Sequence, residues 1–221
     1  MMMDRVLEPE VMDDPEQVRA YAQADFESEN QGFVDQFFGL YDDIDGAHIL
    51  DLGCGPGDIP IRLVRQHPTC RVTGVDASAP MIDWANRLAQ EAGVQDRLTF
   101  LCQRFQDLSF ETPADAIISN SLVHHVPNPF RFWYAVKTCI KPGGPVLVMD
   151  LLRPESEEAA WALVDQYASE EPKQLRQDFF NSLLAAFTED EVAAQLAELN
   201  LSRLMVDVPD DRHWLVYGRV Y

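Results

Sequence analysis

The feature that most restricts the fold is the run Ile49-Leu50-Asp51-Leu52-Gly53-Cys54-Gly55-Pro56-Gly57-Asp58. An apolar, strand-like stretch ends in glycines at every second position, and a helical pattern, Ile59–Gln66, begins directly afterwards. Glycine adopts the left-handed backbone that such a bend requires and lets the main chain come close to a ligand. In open α/β sheets the ligand crevice lies beyond the carboxyl ends of the strands. The chain after the bend keeps the same rhythm. Apolar runs at His48–Leu52, Arg71–Val75, Leu98–Cys102, Asp115–Ser119 and Pro145–Met149 alternate with helical patterns at Ile59–Gln66, Met81–Ala92 and Phe130–Ile140. Ser78 and Pro80 open the second helix, Asn128-Pro129 opens the third, and Lys141-Pro142-Gly143-Gly144 turns into the fifth strand. Strands separated by helices predict βαβ units and a parallel sheet with helices on both faces.

The flanks read differently. Asp14 and Pro15 start a helix expected to run to about Asn30, with Val18, Tyr21, Ala22 and Phe26 on one face, and a second short helix is expected after Gly32. Beyond Asp150 the spacing predicts helices over about 155–170 and 174–186, and a third that the Thr188/Glu191 capping box opens and that ends near Leu199. Two strands, 202–208 and 213–221, follow around a turn at 209–212. The expected organisation is one domain: residues 1–45 a helical cap, 46–150 a ligand-binding core, 151–200 a second helical cap and 201–221 the last two strands.

The glycine spacing excludes two phosphate-binding loops. It is G-x-G-x-G, not G-x-G-x-x-G, and no Gly-Lys-Ser/Thr follows. Asp51 and Asp58 bracket the bend with negative charge, which suits a cationic ligand better than a pyrophosphate. Nineteen residues after Gly57, Asp76 ends the second strand, where a carboxylate can accept both hydroxyl protons of a ribose. The whole chain carries 37 acidic and 17 basic side chains, net −20, so a nucleic-acid partner and an anionic membrane surface are not expected. The acid is concentrated outside the core: residues 1–45 are net −11, 46–150 net −1 and 151–221 net −8. That fits either a solvated surface or a cap that attracts a cation. Four scattered cysteines without a CxxC pair read as reduced thiols, and with no apolar leader visible the expected location is cytoplasmic.

With Asp51-Leu52-Gly53-Cys54-Gly55-Pro56-Gly57 and Asp76 at this spacing, the chain resembles the class I S-adenosylmethionine-dependent methyltransferases acting on small molecules, strongly over about residues 47–150 and in outline over 201–221. The resemblance implies a Rossmann-like, seven-stranded, mostly parallel sheet with helices on both faces and a C-terminal antiparallel hairpin. It implies S-adenosylmethionine as cofactor. Asp51, Gly53, Cys54 and Gly55 would lie against its amino-acid and ribose portions, Asp76 would hold the ribose hydroxyls, Ala77 and Met81 would flank the adenine, and Asn120 would line the methionine end. The third strand departs from the family pattern. Arg104 stands where relatives carry an acid for the adenine amino group, so adenine recognition would fall to backbone, to Gln103 or to Phe105.

A methyl sulfonium is already activated, so a base is needed only for a proton-bearing acceptor. His125 and His124 are the first candidates, with His213 a distant third. Adjacent residues in a helical turn point about 100° apart, so one imidazole is expected to face the crevice while the other packs. The same spacing argues against a shared metal ion, and no metal is expected. Asp150 is expected to border the substrate, and Tyr21, Asp25, Phe26, Arg153, Tyr167, Asp178, Phe179 and Asn181 to form the substrate wall. The resulting reading is methyl transfer to an O, N or C nucleophile of a small molecule by in-line displacement, in a monomer or homodimer. The competing readings are a protein that binds S-adenosylmethionine without catalysis, a methyltransferase acting on protein or RNA, and a nicotinamide-dependent oxidoreductase, against which the glycine spacing counts.

Overall fold

The computed structural model describes residues 3–109 and 112–221. Seven strands form one sheet: β1 (His48–Leu52), β2 (Arg71–Asp76), β3 (Leu98–Cys102), β4 (Ala116–Asn120), β5 (Pro145–Leu151), β6 (Met205–Asp207) and β7 (His213–Arg219). Their order is β3-β2-β1-β4-β5-β7-β6. The first five run parallel, while β7 pairs antiparallel with both β5 and β6. This is the Rossmann-like arrangement expected. Strand order reverses between β1 and β4, the place where such sheets open a crevice.

Alternation along the strands divides the core in two. Ile49, Ile118, Leu147 and Leu215 face helices α2 (Glu27–Leu40) and α3 (Asp58–Gln66), packing on Phe33, Phe37, Ile61 and Val64. Leu50, Ile117, Val146, Val148 and Trp214 face the opposite way, onto α5 (Pro129–Cys139) and α8 (Glu189–Glu198), meeting Phe132, Trp133, Val136 and Leu196. The Thr188–Glu191 capping box opens α8 as expected. Helices α6 (Glu157–Tyr167) and α7 (Lys173–Ala185) form a third cluster around Val164, Phe180 and Leu183, with Trp161 stacked on Phe180 at 4.3 Å.

The N-terminal cap differs from expectation. The helix predicted to reach Asn30 stops early: α1 is Pro15–Gln23, and α2 starts at Glu27 and runs straight through Gly32. The break falls at Ala24–Phe26, where Asp25 Oδ1 accepts the Glu27 N–H at 3.1 Å in a local turn ahead of the Phe26 cap of α2. The Tyr21 and Phe26 rings then meet at 5.2 Å across the bend rather than along one helix face. Ahead of α1, residues 3–12 form an extended strap with no hydrophobic periodicity to announce it. Arg5 ties it down: Nε donates to the Ala185 carbonyl at 2.5 Å, a terminal nitrogen donates to the His124 and Val126 carbonyls at 2.7 and 3.0 Å, and the guanidinium lies 3.8 Å above the Phe187 ring. Among the described residues no helix is long and apolar enough to cross a membrane.

Candidate active site

A cavity of about 490 Å³ opens beyond the carboxyl ends of β1, β2 and β4, roofed by α1, α7 and the strap. A lobe of about 240 Å³ continues it past the glycine bend, sharing Tyr21, Phe26, Gly53, Gly55 and Asn120. This is the size of a small-molecule or cofactor site.

The bend is tied to the tip of β2. Gly53 and Cys54 donate their N–H groups to the Val75 carbonyl at 2.8 and 3.1 Å. Asp76 accepts from Gly55 N–H at 3.0 Å and, with its other oxygen, from Ser78 N–H at 2.8 Å. Gly53 has φ +76, and a Cβ there would lie 2.8 Å from the Leu122 side chain, so no other residue fits without a shift. Gly55 has φ +50, and a Cβ there would meet only the open cavity.

The polar groups at this end are under electrostatic tension. Asp51 is buried at the end of β1 and lines the second lobe. Burial first, and then the Asp76 charge, push its carboxyl up to about 8. Burial also raises Asp76, against three backbone N–H groups that favour its charge. A cation beside them relieves both. Asn120, the last residue of β4, has a buried Oδ1 without a partner among the described residues, and it lines both lobes. A buried acceptor without a donor costs on the order of 1–3 kcal/mol, so these residues suit an ammonium or hydroxyl donor from a ligand. Ala77 and Met81, Gln103, Arg104 and Phe105 stand along the far wall, beyond Asp76. Arg104 is occupied, donating to Glu10 of the strap at 2.8 Å. Gln106, which sequence reasoning missed, also gives Glu10 an N–H at 2.5 Å and leaves its Oε1 buried on the cavity wall without a partner among the described residues. An amide acceptor therefore stands one short turn from where the family's acid was sought.

The substrate end is built by the segment after β4. Ser121 has φ +57, unusual for a side-chain-bearing residue and marking a forced turn. It throws Leu122 over Gly53 and leads into a 3₁₀ turn, Val123–His125. Asp150, fully buried in β5, holds that turn: its carboxylate accepts from the N–H groups of Val123 and His124, and from His124 Nδ1 at 2.5 Å. Burial pulls the His124 imidazole down, but the Asp150 carboxylate outweighs it, and the net shift is upward; Asp150 is held below its ordinary range by the same pairing, against its own desolvation. Burial, and beside it the His124 charge, keep His125 well below the usual imidazole range.

Four expectations are overturned here. The histidines do not diverge: the tight 3₁₀ turn brings the rings to 4.2 Å between centroids, tilted 36°, and both line the cavity. Asp150 does not border the cavity; it lies behind His124 and orients it. Arg153 also leaves the substrate wall. It is buried, donating to the Ala186 carbonyl at 3.1 Å and to Glu191 at 2.6 Å, and so it anchors α8 to the sheet. Asn181 lies off the cavity, accepting from Gln177. Tyr21, Asp25, Phe26, Tyr167, Asp178 and Phe179 do line it, as does His213, whose Nδ1 faces Asp210 at 2.9 Å. The strap supplies a residue that no motif pointed to. Glu8 Oε1 lies 3.4 Å from His124 Nε2 and 3.1 Å from His125 Nδ1.

Residues 49–144 match a family described as a methyltransferase domain. Among curated proteins, the chain is 35% identical over 112 residues to the ubiquinone biosynthesis O-methyltransferase of Xylella fastidiosa, covering 50% of this chain and 44% of that protein. It is 34% identical over 100 residues to the trans-aconitate 2-methyltransferase of Streptomyces avermitilis, covering 45% of this chain and 37% of that protein. The matched region spans less than half the length of these relatives. Among solved structures, the plantazolicin methyltransferase BpumL in complex with a triazolic desmethylPZN analog and SAH superposes with TM-score 0.68 at 16% identity, over 93% of this chain and 92% of that one. The mitomycin 7-O-methyltransferase MmcR superposes with TM-score 0.67 at 23% identity, over 94% of this chain and 58% of that one. At these identities the structural likeness speaks to the fold.

Proposed function

We propose that this chain, which carries a match to a methyltransferase domain over residues 49–144 and resembles the class I methyltransferases, binds S-adenosylmethionine in the two-lobed cavity and transfers its methyl group to a hydroxyl of a small molecule. One observation carries the cofactor reading: Asp51, Asp76 and the unpartnered Asn120 Oδ1 converge on a glycine bend at the strand-order reversal. Asp51 and Asn120 would hold the methionine ammonium, and Asp76 would hold the ribose hydroxyls. Ala77 and Met81 would flank the adenine, and Gln106 Oε1 would accept from its amino group in place of the absent acid.

The sulfonium supplies an activated methyl group; the chain orients the partners and excludes water, which supplies much of the rate. The acceptor oxygen approaches in line with the methyl carbon. When bound, the cofactor would supply the methyl group to the acceptor oxygen, the S–C bond breaking as the O–C bond forms with S-adenosylhomocysteine as the leaving product, and His124 would take the hydroxyl proton. Asp150 fixes the Nδ1–H tautomer of that imidazole, so its Nε2 lone pair is the one available to take the proton. An O–H acceptor is favoured by that lone pair, and by the O-methyltransferase character of a curated relative. Calorimetric titration and transfer of labelled methyl groups into a metabolite extract test the reading. One equivalent of S-adenosylmethionine should bind, and His124→Gln should lower turnover at least a hundredfold while cofactor affinity stays within threefold. Absence of cofactor binding overturns the reading, and full activity in the variant removes His124 from the chemistry.

A further inference from the structure

The strap residue Glu8 changes what the histidine pair can do. Three donor atoms from separate parts of the chain, Glu8 Oε1, His124 Nε2 and His125 Nδ1, lie within 4.8 Å of one another. The two separations from Glu8, 3.4 and 3.1 Å, are near the edge of about 3.4 Å that a tetrahedral ion with bonds of about 2.1 Å sets between its ligands. We infer that Glu8, His124 and His125 form a binding site for a first-row divalent metal ion of the zinc or cobalt type.

The surroundings of the cluster are those of a metal site. A metal-bound histidine usually gives its other ring N–H to a carboxylate, which fixes the tautomer and raises its basicity. His124 does this with Asp150 at 2.5 Å. Glu8 is oriented in turn by the Ser182 hydroxyl, which donates to it at 3.1 Å. The charges felt at the cluster are those of Glu8, Asp150 and Asp178 against the Arg5 guanidinium, a negative balance that favours a cation. Two imidazoles with one carboxylate select zinc, cobalt, nickel or iron over magnesium and calcium, which prefer all-oxygen shells. His125 must take the Nε2–H tautomer to offer Nδ1, giving up its 3.2 Å contact with the Pro9 carbonyl. Both histidines line the cavity, so the positions on the ion that protein does not fill face the acceptor. This deepens the methyl-transfer reading and rests on it for the ion's role: the ion and the acceptor's proton are alternative occupants of the His124 lone pair, and a bound ion takes over activation of the hydroxyl. The binding itself needs no cofactor.

Full-length protein stripped by chelator and titrated with cobalt(II), followed by its visible absorption and by calorimetry, tests the site. One equivalent should bind with the spectrum of a four- or five-coordinate nitrogen–oxygen site, zinc should displace it, and magnesium should not. Glu8→Gln and His125→Gln should each weaken binding at least tenfold. Absence of one-equivalent saturation overturns the inference, as does binding that is undiminished in both variants, which would mark an ion held by surface acids. Titrating the same sample with S-adenosylmethionine separates the two readings, because a protein that takes cobalt but no cofactor keeps the metal site and loses the proposed activity.

Discussion

Asp51 shows how a functional site costs stability before its ligand arrives. Its carboxyl is raised to about 8 by burial and by Asp76, whereas in an unfolded chain it titrates near 4. Between those values the folded protein holds a proton that the unfolded chain has released, so the stability linked to this group is complete at low pH and is lost as pH rises toward 8. Asp51→Asn should therefore stabilise the ligand-free protein at pH 8 by an amount on the order of 5 kcal/mol and leave it nearly unchanged at pH 4, measured by urea unfolding. The same variant should bind S-adenosylmethionine at least tenfold more weakly. Asp76→Ala should also weaken cofactor binding by well over tenfold, from the loss of charged hydrogen bonds worth about 1.5–3 kcal/mol. Calorimetry checks both, and unchanged affinity in the Asp76 variant removes it from the ribose. Asp51, the glycines and Asp76 were legible in the sequence because they act within one strand and the turn that follows it. Gln106, Glu8 and the true role of Asp150 were not, since each depends on a neighbour far away in the chain.

The least legible elements were those without a period. The βαβ core announced itself through alternating apolar runs and caps, and its strands fall within a residue or two of expectation. The α1–α2 break coincides with a local turn in which Glu27 N–H donates to Asp25, and the strap turned on contacts between residue 5 and residues 124, 126, 185 and 187. Adjacent histidines were expected to diverge because an ordinary helical turn was assumed; the 3₁₀ turn forced by Ser121 places them side by side. The strap borders the cavity through Glu10, Val11 and Met12 and is tied down by Arg5. Arg5→Ala should destabilise the protein by about 2 kcal/mol, as charged hydrogen bonds to otherwise buried carbonyls are lost. It should raise the acceptor KM several-fold more than it changes kcat. Thermal unfolding and steady-state kinetics measure the two effects, and a variant with unaltered KM would show the strap to be incidental to the cavity.

At the scale of the molecule, a nearly neutral core sits beneath acidic flanks, and Asp25, Glu29, Glu171 and Asp178 bring that charge to the cavity wall. Such a field draws in a cation and is screened over about 10 Å at 0.1 M salt. The association rate of the positively charged cofactor should fall several-fold between 20 and 200 mM salt in stopped-flow experiments, with little change in its dissociation rate. A salt-independent association rate would reduce the acid to a solvated surface. The central claim is that the glycine bend and the Asp76 carboxylate grip a sulfonium nucleoside, and the measurement that reaches it most directly is a calorimetric titration of the full-length protein with S-adenosylmethionine alongside one with NADH. One equivalent of S-adenosylmethionine should bind at micromolar affinity or better, with no heat from NADH. Binding of NADH with none of S-adenosylmethionine would contradict it.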